Sequence, residues 1–426
     1  MAKLSVQDLS TDGKRVFIRV DYNVPMEDKN GTMVINDSTR IKETIPTLKL
    51  LISQGARLIL AAHLGRPDGK RESSMSLKPV AEKLAEMLGK TVHFVDECVG
   101  AKAEAAVGQL KDGEVLLLEN VRFHAEEEEN DPVFSAQLAR LADIYVNDAF
   151  GAAHRAHAST CGVARILSAW GKPCAAGLLM QRELKFLGDE LDHPAHPFVV
   201  VLGGAKVSDK IRVIDRLLEK ADTVLIGGAM AYTFKLAHGG KTGKSLIERN
   251  HTGTALAAES KALQRGVQFH LPTDTVVATP IDSGKLNKKG KPIYDLANPR
   301  VVRGDIPDDA EGFDIGPETA KNFAAILHGA KTILWNGPMG MFEDARFAEG
   351  TNAVAQAVVE ATQKYGAKSI IGGGDSVKAI NNAGLGGKVT FASTGGGASL
   401  EFLEGVPLPG VSALTDVGTT PSNSKP

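Results

Sequence analysis

The stretch Phe198-Val-Val-Val-Leu-Gly-Gly-Ala-Lys206 decides the fold. Five apolar residues without polar alternation read as a strand covered on both faces, the kind found in parallel sheets. Two glycines then close it, where a tight turn into a helix belongs. The same phrasing recurs further along the chain. Thr223–Ile226 runs into Gly227-Gly-Ala, Ser369–Ile371 into Gly372-Gly-Gly-Asp-Ser, and Val389–Ala392 into Ser393-Thr-Gly-Gly-Gly-Ala-Ser. Val267–Leu271, Thr275–Ala278 and Thr332–Trp335 complete the strands expected in the second half.

The first half offers its own set: Val16–Val20, Leu58–Ala62, Val92–Val95, Val115–Leu118 and Ile144–Val146. Helical patterns lie between them. Ile41, Ile45, Leu48 and Ile52 recur at helical spacing after Asp37 and Ser38, which suit a cap, and Leu77–Leu88 ends at the stop residue Gly89. Alternating strands and helices imply right-handed crossovers and a doubly wound parallel sheet. Two sets are too many for one sheet, and 426 residues exceed one ordinary domain. The expected class is α/β, with two doubly wound, Rossmann-like domains. The junction falls at Leu178–Pro197, a helical pattern broken by His193-Pro-Ala-His-Pro. The polar tail Thr415–Pro426 reads as a flexible end.

Charge narrows the partners. With 49 basic and 51 acidic residues the net charge is −2, which disfavours bulk attraction to nucleic acid or membranes. Cys98, Cys161 and Cys174 are odd in number and match no zinc spacing, so free thiols in a reducing compartment are expected. MAKLSVQDLS lacks a signal peptide's apolar core, and no run is long enough to span a bilayer. A cytoplasmic protein is expected.

Glycine, 45 of 426 residues, exceeds the usual share of about 7% and gathers at the ends of the second-half strands. Such turns let the backbone approach a ligand, and the helix N-terminus that follows favours anions. Tight packing turns are the alternative. The dinucleotide fingerprint is absent, because Val377 and Leu400 stand where its third glycine would be. The P-loop spacing fails at His238, so His238-Gly-Gly-Lys-Thr-Gly-Lys-Ser reads as a loop. Lys206 and Lys210, four apart, would share a helix face and repel unless polyphosphate neutralised them. Asp375 suits either a magnesium ion on phosphate or a helix cap. Asn336-Gly-Pro-Met-Gly-Met-Phe-Glu343 could wall a nucleotide pocket, with Glu343 accepting from ribose.

The first half carries different equipment. Arg40, Arg66, Arg122 and Arg155 fall at expected sheet ends or helix starts, with His63, His154 and His157 beside them. Arginine's planar fork matches phosphate and carboxylate, although any single one could be a surface ion pair. Asp21 and Asn23 suit substrate hydroxyls or local turn hydrogen bonds equally. The acidic run Glu126–Glu129 reads as a solvated loop or helix start without chemistry.

Taken in order, these motifs resemble phosphoglycerate kinases over nearly the whole chain. The resemblance rests on Arg15-Val-Phe-Ile-Arg-Val-Asp-Tyr-Asn-Val-Pro, His63-Leu-Gly-Arg-Pro, Leu118-Glu-Asn-Val-Arg-Phe-His, His154-Arg-Ala-His, Leu202-Gly-Gly-Ala-Lys-Val-Ser-Asp-Lys-Ile, Trp335-Asn-Gly-Pro-Met-Gly-Met-Phe-Glu, Gly372-Gly-Gly-Asp-Ser and Thr394-Gly-Gly-Gly-Ala-Ser. Tyr22 and Ala62 stand where that family commonly has phenylalanine and serine; neither change removes a charge. The resemblance implies reversible phosphoryl transfer between 1,3-bisphosphoglycerate and ADP, giving 3-phosphoglycerate and ATP. It implies a glycerate-binding domain over 1–177, a helix and linker over 178–197, and a Mg-nucleotide domain over 198–404. The segment 405–426 would return to the first domain. Glycerate binding falls on Asp21, Tyr22, Asn23, Arg40, His63, Leu64, Gly65, Arg66, Arg122 and Arg155. Nucleotide binding falls on Lys206, Lys210, Gly312, Glu343, Gly373, Gly374, Asp375 and Ser376, with Asp375 on Mg²⁺. Arg40, Lys210, Gly373 and Gly395 would meet the moving phosphoryl group after a hinge-bending closure. A monomer is expected. Two other readings stand beside this one: a different acyl-phosphate enzyme, separable by substrate profile, and a nucleotide-binding module without catalysis, separable by turnover.

Overall fold

Aliphatic and β-branched runs become strands inside the sheets, buried on both faces as a sheet covered by helices requires. The computed structural model describes residues 2–286, 290 and 292–418. The chain divides into two compact units: one takes in the residues up to Lys185 and resumes at Val406, and the other is Phe186–Gly405.

In the first unit the strands are β1 (Arg15–Val20), β2 (Met26–Lys29), β3 (Thr32–Ile35), β4 (Arg57–Ala61), β5 (Val92–Val95), β6 (Val115–Leu118), β7 (Ile144–Asp148) and β8 (Cys174–Ala176). Six of them form a parallel sheet in the order β5-β6-β4-β1-β7-β8. The remaining pair, β2 and β3, is an antiparallel hairpin. Val16, Ile18, Leu58, Leu60, Val115 and Leu117 pack against Ile41, Leu48 and Leu51 of the helix Thr39–Ser53 and Val80 and Leu84 of Lys78–Leu88. That second helix stops at Gly89, which takes the left-handed conformation (φ 64°) and donates to Ala85. The expected cap at the first helix is only half realised. Asp37 accepts from the Thr39 N–H at 2.8 Å, whereas Ser38 makes no side-chain cap bond.

The tail departs from the flexible end expected of Thr415–Pro426. Thr415 donates to Cys174 and accepts from Leu4, Gly410 donates to Ala153, and Lys3 pairs with Asp416 at 2.8 Å. The segment Val406–Gly418 is thus held by the first unit's own backbone; residues 419–426 lie outside the described residues.

The second unit contains β9 (Phe198–Leu202), β10 (Thr223–Ile226), β11 (Gln268–His270), β12 (Asp274–Leu286), β13 (Pro292–Arg303), β14 (Glu311–Ile315), β15 (Thr332–Asn336), β16 (Lys368–Gly372) and β17 (Phe391–Ala392). Its parallel sheet runs β11-β10-β9-β15-β16-β17 around a core that includes Trp335, Val199, Val201, Phe323 and Val358. Thr275–Ala278 does not join that sheet, contrary to expectation. It begins the long strand β12, which pairs antiparallel with β13 and β14 in a separate sheet. The helix expected after Gly177 is present from Leu178 to Asp192, with Leu178–Leu184 and Glu190–Asp192 joined through the wider helical turn Lys185–Asp189, whose end residues stay right-handed helical.

Candidate active site

In each parallel sheet the polar and glycine-rich residues gather at the carboxyl ends of the strands, where doubly wound sheets hold ligands. In the first unit, Asp21 follows β1 and Arg40 opens the helix Thr39–Ser53. The Arg40 guanidinium donates to Asp21 at 2.5 Å, and that carboxylate is only 9% exposed. Asn23 accepts from the Gly65 N–H at 2.9 Å, tying the turn after β1 to the turn after β4. Arg122, almost fully buried after β6, donates to the Gly65 carbonyl at 3.1 Å. Asn120 donates to the Leu64 carbonyl at 2.7 Å and holds the same turn from beneath.

His63 is buried within electrostatic reach of Arg19, Arg122, Arg40 and His157. Burial first, and then these cations, push its pKa well below the ordinary value. Burial, and then Arg122, Arg19 and Arg155, lower His157 to about 4. Both imidazoles are neutral near pH 7, so the positive charge of this face resides in the arginines. Burial also lowers Arg122, whose Nε has no hydrogen-bond partner among the described residues, although Glu128 lies 3.3 Å away. A buried, incompletely satisfied guanidinium is a strong recruiter of an anionic oxygen.

Arg155 is exposed and donates to His154 at 3.2 Å; its charge reaches Arg122 and His157. Arg66 is exposed, and among the described residues no partner joins it to the others. The side chains of Tyr22 and Leu64 lie in the core, and the Tyr22 hydroxyl is 2.9 Å from Thr44. Only the backbone of these two is available to a ligand. One further expectation fails here. Glu127, in the acidic run, is fully buried and hydrogen-bonded, so that run is not simply solvated. Arg19, near the end of β1, is completely enclosed.

The glycines of the second unit sort into two kinds. A Cβ on Gly203 would lie 2.0 Å from the Pro338 carbonyl oxygen, one on Gly228 2.5 Å from Gly204 N, and one on Gly337 2.2 Å from the Gly203 oxygen. These turns need glycine because they pack against one another. A Cβ on Gly374, Gly396 or Gly397 would meet nothing within 4 Å among the described residues, and one on Gly373, at φ +82°, would approach Asn336 at 3.2 Å. This second group borders open space at the starts of the helices Gly374–Asn382 and Gly397–Leu403. Gly395 precedes the latter, its N–H donating to Ser393.

Lys210 is half-buried, and its ammonium donates to the Asn336 side-chain oxygen in a very short hydrogen bond. Desolvation lowers it to about 8, against the opposing pull of Asp209, Asp375 and Glu404. Lys206 does not share a helix face with it. The helix begins only at Ile211, because Glu248 binds the Ser208 N–H and hydroxyl and holds residues 203–210 as a turn. Lys206 is exposed within that turn. Asp375 is exposed in the first turn of Gly374–Asn382 and has no hydrogen-bond partner among the described residues, whereas buried Ser376 accepts from Gly337 N–H at 2.5 Å. Gly312, in β14, packs 2.4 Å (as a would-be Cβ) from the Tyr232 ring and donates to Ser245. Glu343 is exposed, 3.8 Å from Lys378. The Lys210 partner Asn336 was quoted in the sequence only as part of a pocket wall; its pairing across 126 residues has no local signal.

Fold and site together define a class: an α/β phosphotransferase of two doubly wound units, one presenting arginines and the other glycine turns with a desolvated lysine. The comparisons with known proteins agree. The family model described as phosphoglycerate kinase matches residues 6–406. The phosphoglycerate kinase of Moorella thermoacetica is 52% identical over 98% of this chain and 100% of its own length. A chloroplastic phosphoglycerate kinase of Volvox carteri is 51% identical over 97% of this chain and 86% of its own. The structure of the phosphoglycerate kinase of Coxiella burnetii superposes with a TM-score of 0.82 at 39% identity, covering 96% of this chain and 98% of that one. The chain belongs to the phosphoglycerate kinase family and is an enzyme of the kinase class.

Proposed function

We infer that the phosphoryl group passes directly and in line between substrates held on the two units, the glycerate on the first and the nucleotide on the second. The reaction is the family's: reversible transfer between 1,3-bisphosphoglycerate and ADP, giving 3-phosphoglycerate and ATP in glycolysis and gluconeogenesis. An acyl phosphate is already reactive, so positioning and charge stabilisation suffice without a covalent enzyme intermediate. Asp21, Asn23, His63, Arg122 and Arg155 hold the glycerate and its phosphate, with Arg66 and the backbone of Tyr22, Leu64 and Gly65 at the edge. Lys206, Gly312, Glu343 and Ser376 belong to the nucleotide side. Arg40 and Lys210 act on the transferring group, helped by N–H donors near Gly373, Gly374 and Gly395, and a hinge-bending closure brings the two sets together and excludes water.

Magnesium fits this arrangement as a passenger of the nucleotide. Among the described residues no three His, Cys, Asp or Glu side chains converge into a protein-built cage. Asp375, unpaired beside the glycine turn, suits an ion whose other ligands are phosphate oxygens and water. Bound there, Mg²⁺ would neutralise phosphate charge. No helix among the described residues is long and apolar enough to cross a membrane. A monomer working in the cytoplasm is part of the same proposal.

The observation that carries the reading is the open turn at Gly373–Gly374 in the same unit as the Lys210 ammonium, whose hydrogen bond goes to a neutral amide. The test is stereochemical. With ATP made chiral at its terminal phosphorus by oxygen isotopes, one direct transfer gives inversion in the 1,3-bisphosphoglycerate formed. Retention would mean two displacements through an enzyme-bound phosphate and would overturn direct transfer.

A further inference from the structure

Beneath the arginine face lies a buried charge that the transfer itself does not use. Glu127 sits in the short helix Ala125–Glu129 and is fully enclosed. One carboxylate oxygen accepts from the Ser159 N–H at 2.9 Å and the other from the Ser159 hydroxyl at 2.6 Å. The same hydroxyl oxygen accepts from Arg19 Nε at 2.7 Å. Arg19 continues inward, donating to the Val20 carbonyl, and outward, 3.0 Å from His63 Nδ1.

Counting protons fixes every role in this chain. A guanidinium only donates. His63 Nδ1 must therefore accept, which leaves the ring's proton on Nε2. Ser159 accepts from Arg19, so its own proton goes to Glu127. Glu127 receives a donor on each oxygen, so neither is turned toward an acceptor for a proton of its own; burial raises its pKa, against the opposing pull of Arg19, Ser159 and Arg122. Without Glu127, Arg19 would be a buried cation with one neutral hydroxyl, one carbonyl and one imidazole for company, a costly arrangement.

We propose that Glu127, acting through Ser159 and Arg19, is a positioning residue for glycerate binding: it holds His63 as the neutral Nε2–H tautomer, a ready donor to an anionic oxygen. The proposal rests on the reading of the first unit as the glycerate-binding unit. Loss of the charge frees Arg19 to shift, and His63 then loses both its tautomer lock and its orientation. The effect belongs in KM for 3-phosphoglycerate, because no group on the nucleotide side is touched.

The experiment uses the full-length enzyme with Glu127→Gln, Glu127→Asp and Ser159→Ala, and with His63→Gln as reference. Glu127→Gln puts an amide donor against the Ser159 donors. We expect KM for 3-phosphoglycerate to rise about tenfold, the worth of one charge-assisted hydrogen bond, with KM for ATP unchanged. Long-range ¹H–¹⁵N spectra of the His63 ring should lose the Nε2–H pattern seen in the wild type. Glu127→Asp, which keeps the charge, should recover part of the loss, and Ser159→Ala reports on the same chain if Glu127→Gln does not fold. An unchanged His63 pattern and unchanged KM in the folded variants would overturn the proposal. If His63→Gln also leaves KM for 3-phosphoglycerate unchanged, the glycerate assignment itself fails; if it raises KM while the Glu127 and Ser159 variants do not, only the positioning role fails.

Discussion

On the proposed placing of Lys210 against the nucleotide, its pKa makes nucleotide affinity depend on pH in a way that can be worked out in advance. Desolvation holds the free enzyme's ammonium at about 8. A polyphosphate brought against it restores the charged form, returning the pKa toward its ordinary value of about 10.4. At about pH 7 roughly nine-tenths of the free enzyme carries the proton, and at about pH 9 roughly one-tenth does. Binding at the higher pH must therefore draw a proton from solution, so the nucleotide Kd should rise about tenfold across that window, or ~1.4 kcal/mol. The nucleotide's terminal phosphate, with a second pKa of about 6, is already ionised and adds little. Titration calorimetry at both ends of the window, in two buffers of unlike ionisation enthalpy, reads the affinity and the protons taken up. Lys210→Arg stays charged throughout, and its affinity should be flat with pH. A flat profile in the wild type would refute the reasoning, as would a slope that survives in the arginine variant.

Further outcomes follow from other residues. Arg40→Ala should lower kcat by about a hundredfold or more, the scale of losing one charge that stabilises a transition state, with nucleotide Kd little changed; turnover near the wild-type rate would remove Arg40 from the chemistry. Gly203→Ala should cost roughly 1–3 kcal/mol of stability, since its Cβ would collide with the Pro338 carbonyl. Gly374→Ala meets open space and should leave the urea midpoint nearly unchanged while weakening nucleotide binding about tenfold; equal effects of the two on stability would contradict the sorting of the glycines. Asp148 is fully buried, and burial raises it to about 6, whereas the unfolded chain titrates near about 3.9. Between those values the folded state holds the extra proton, so this group's contribution to stability falls as pH rises through the window and levels off above it. Asp148→Asn should flatten that slope, worth on the order of 3 kcal/mol, in unfolding measured across the window; an unaltered slope would place the titration elsewhere.

Much of this was legible because parallel strands announce themselves. Phe198–Leu202 and Val115–Leu118 are apolar throughout, and both are buried along their whole length with a parallel neighbour on each side. The three-residue β8 is too short to show a period, and β12 grades from buried at Asp274 to exposed at Leu286 with no alternation to read, although its antiparallel partner β13 is the next strand in the chain. The glycine turns were visible as a group, but not their division. Whether Gly203 serves packing or a ligand depends on Pro338, more than a hundred residues away. Lys206 and Lys210 misled because helical spacing was assumed where Glu248 pins a turn. Glu127 was hidden by its neighbours: in a run of four glutamates, only the partner Ser159, brought over by the fold, distinguishes the buried one.

The arginine face and the glycine face have a joint purpose only if one phosphoryl group crosses from the second to the first. The direct measurement is a coupled assay in the ATP-consuming direction, with 3-phosphoglycerate and Mg-ATP, and with acetate as the alternative acceptor. The account predicts sustained 1,3-bisphosphoglycerate formation with the former and none with the latter. No turnover with 3-phosphoglycerate, or equal turnover with acetate, would contradict it.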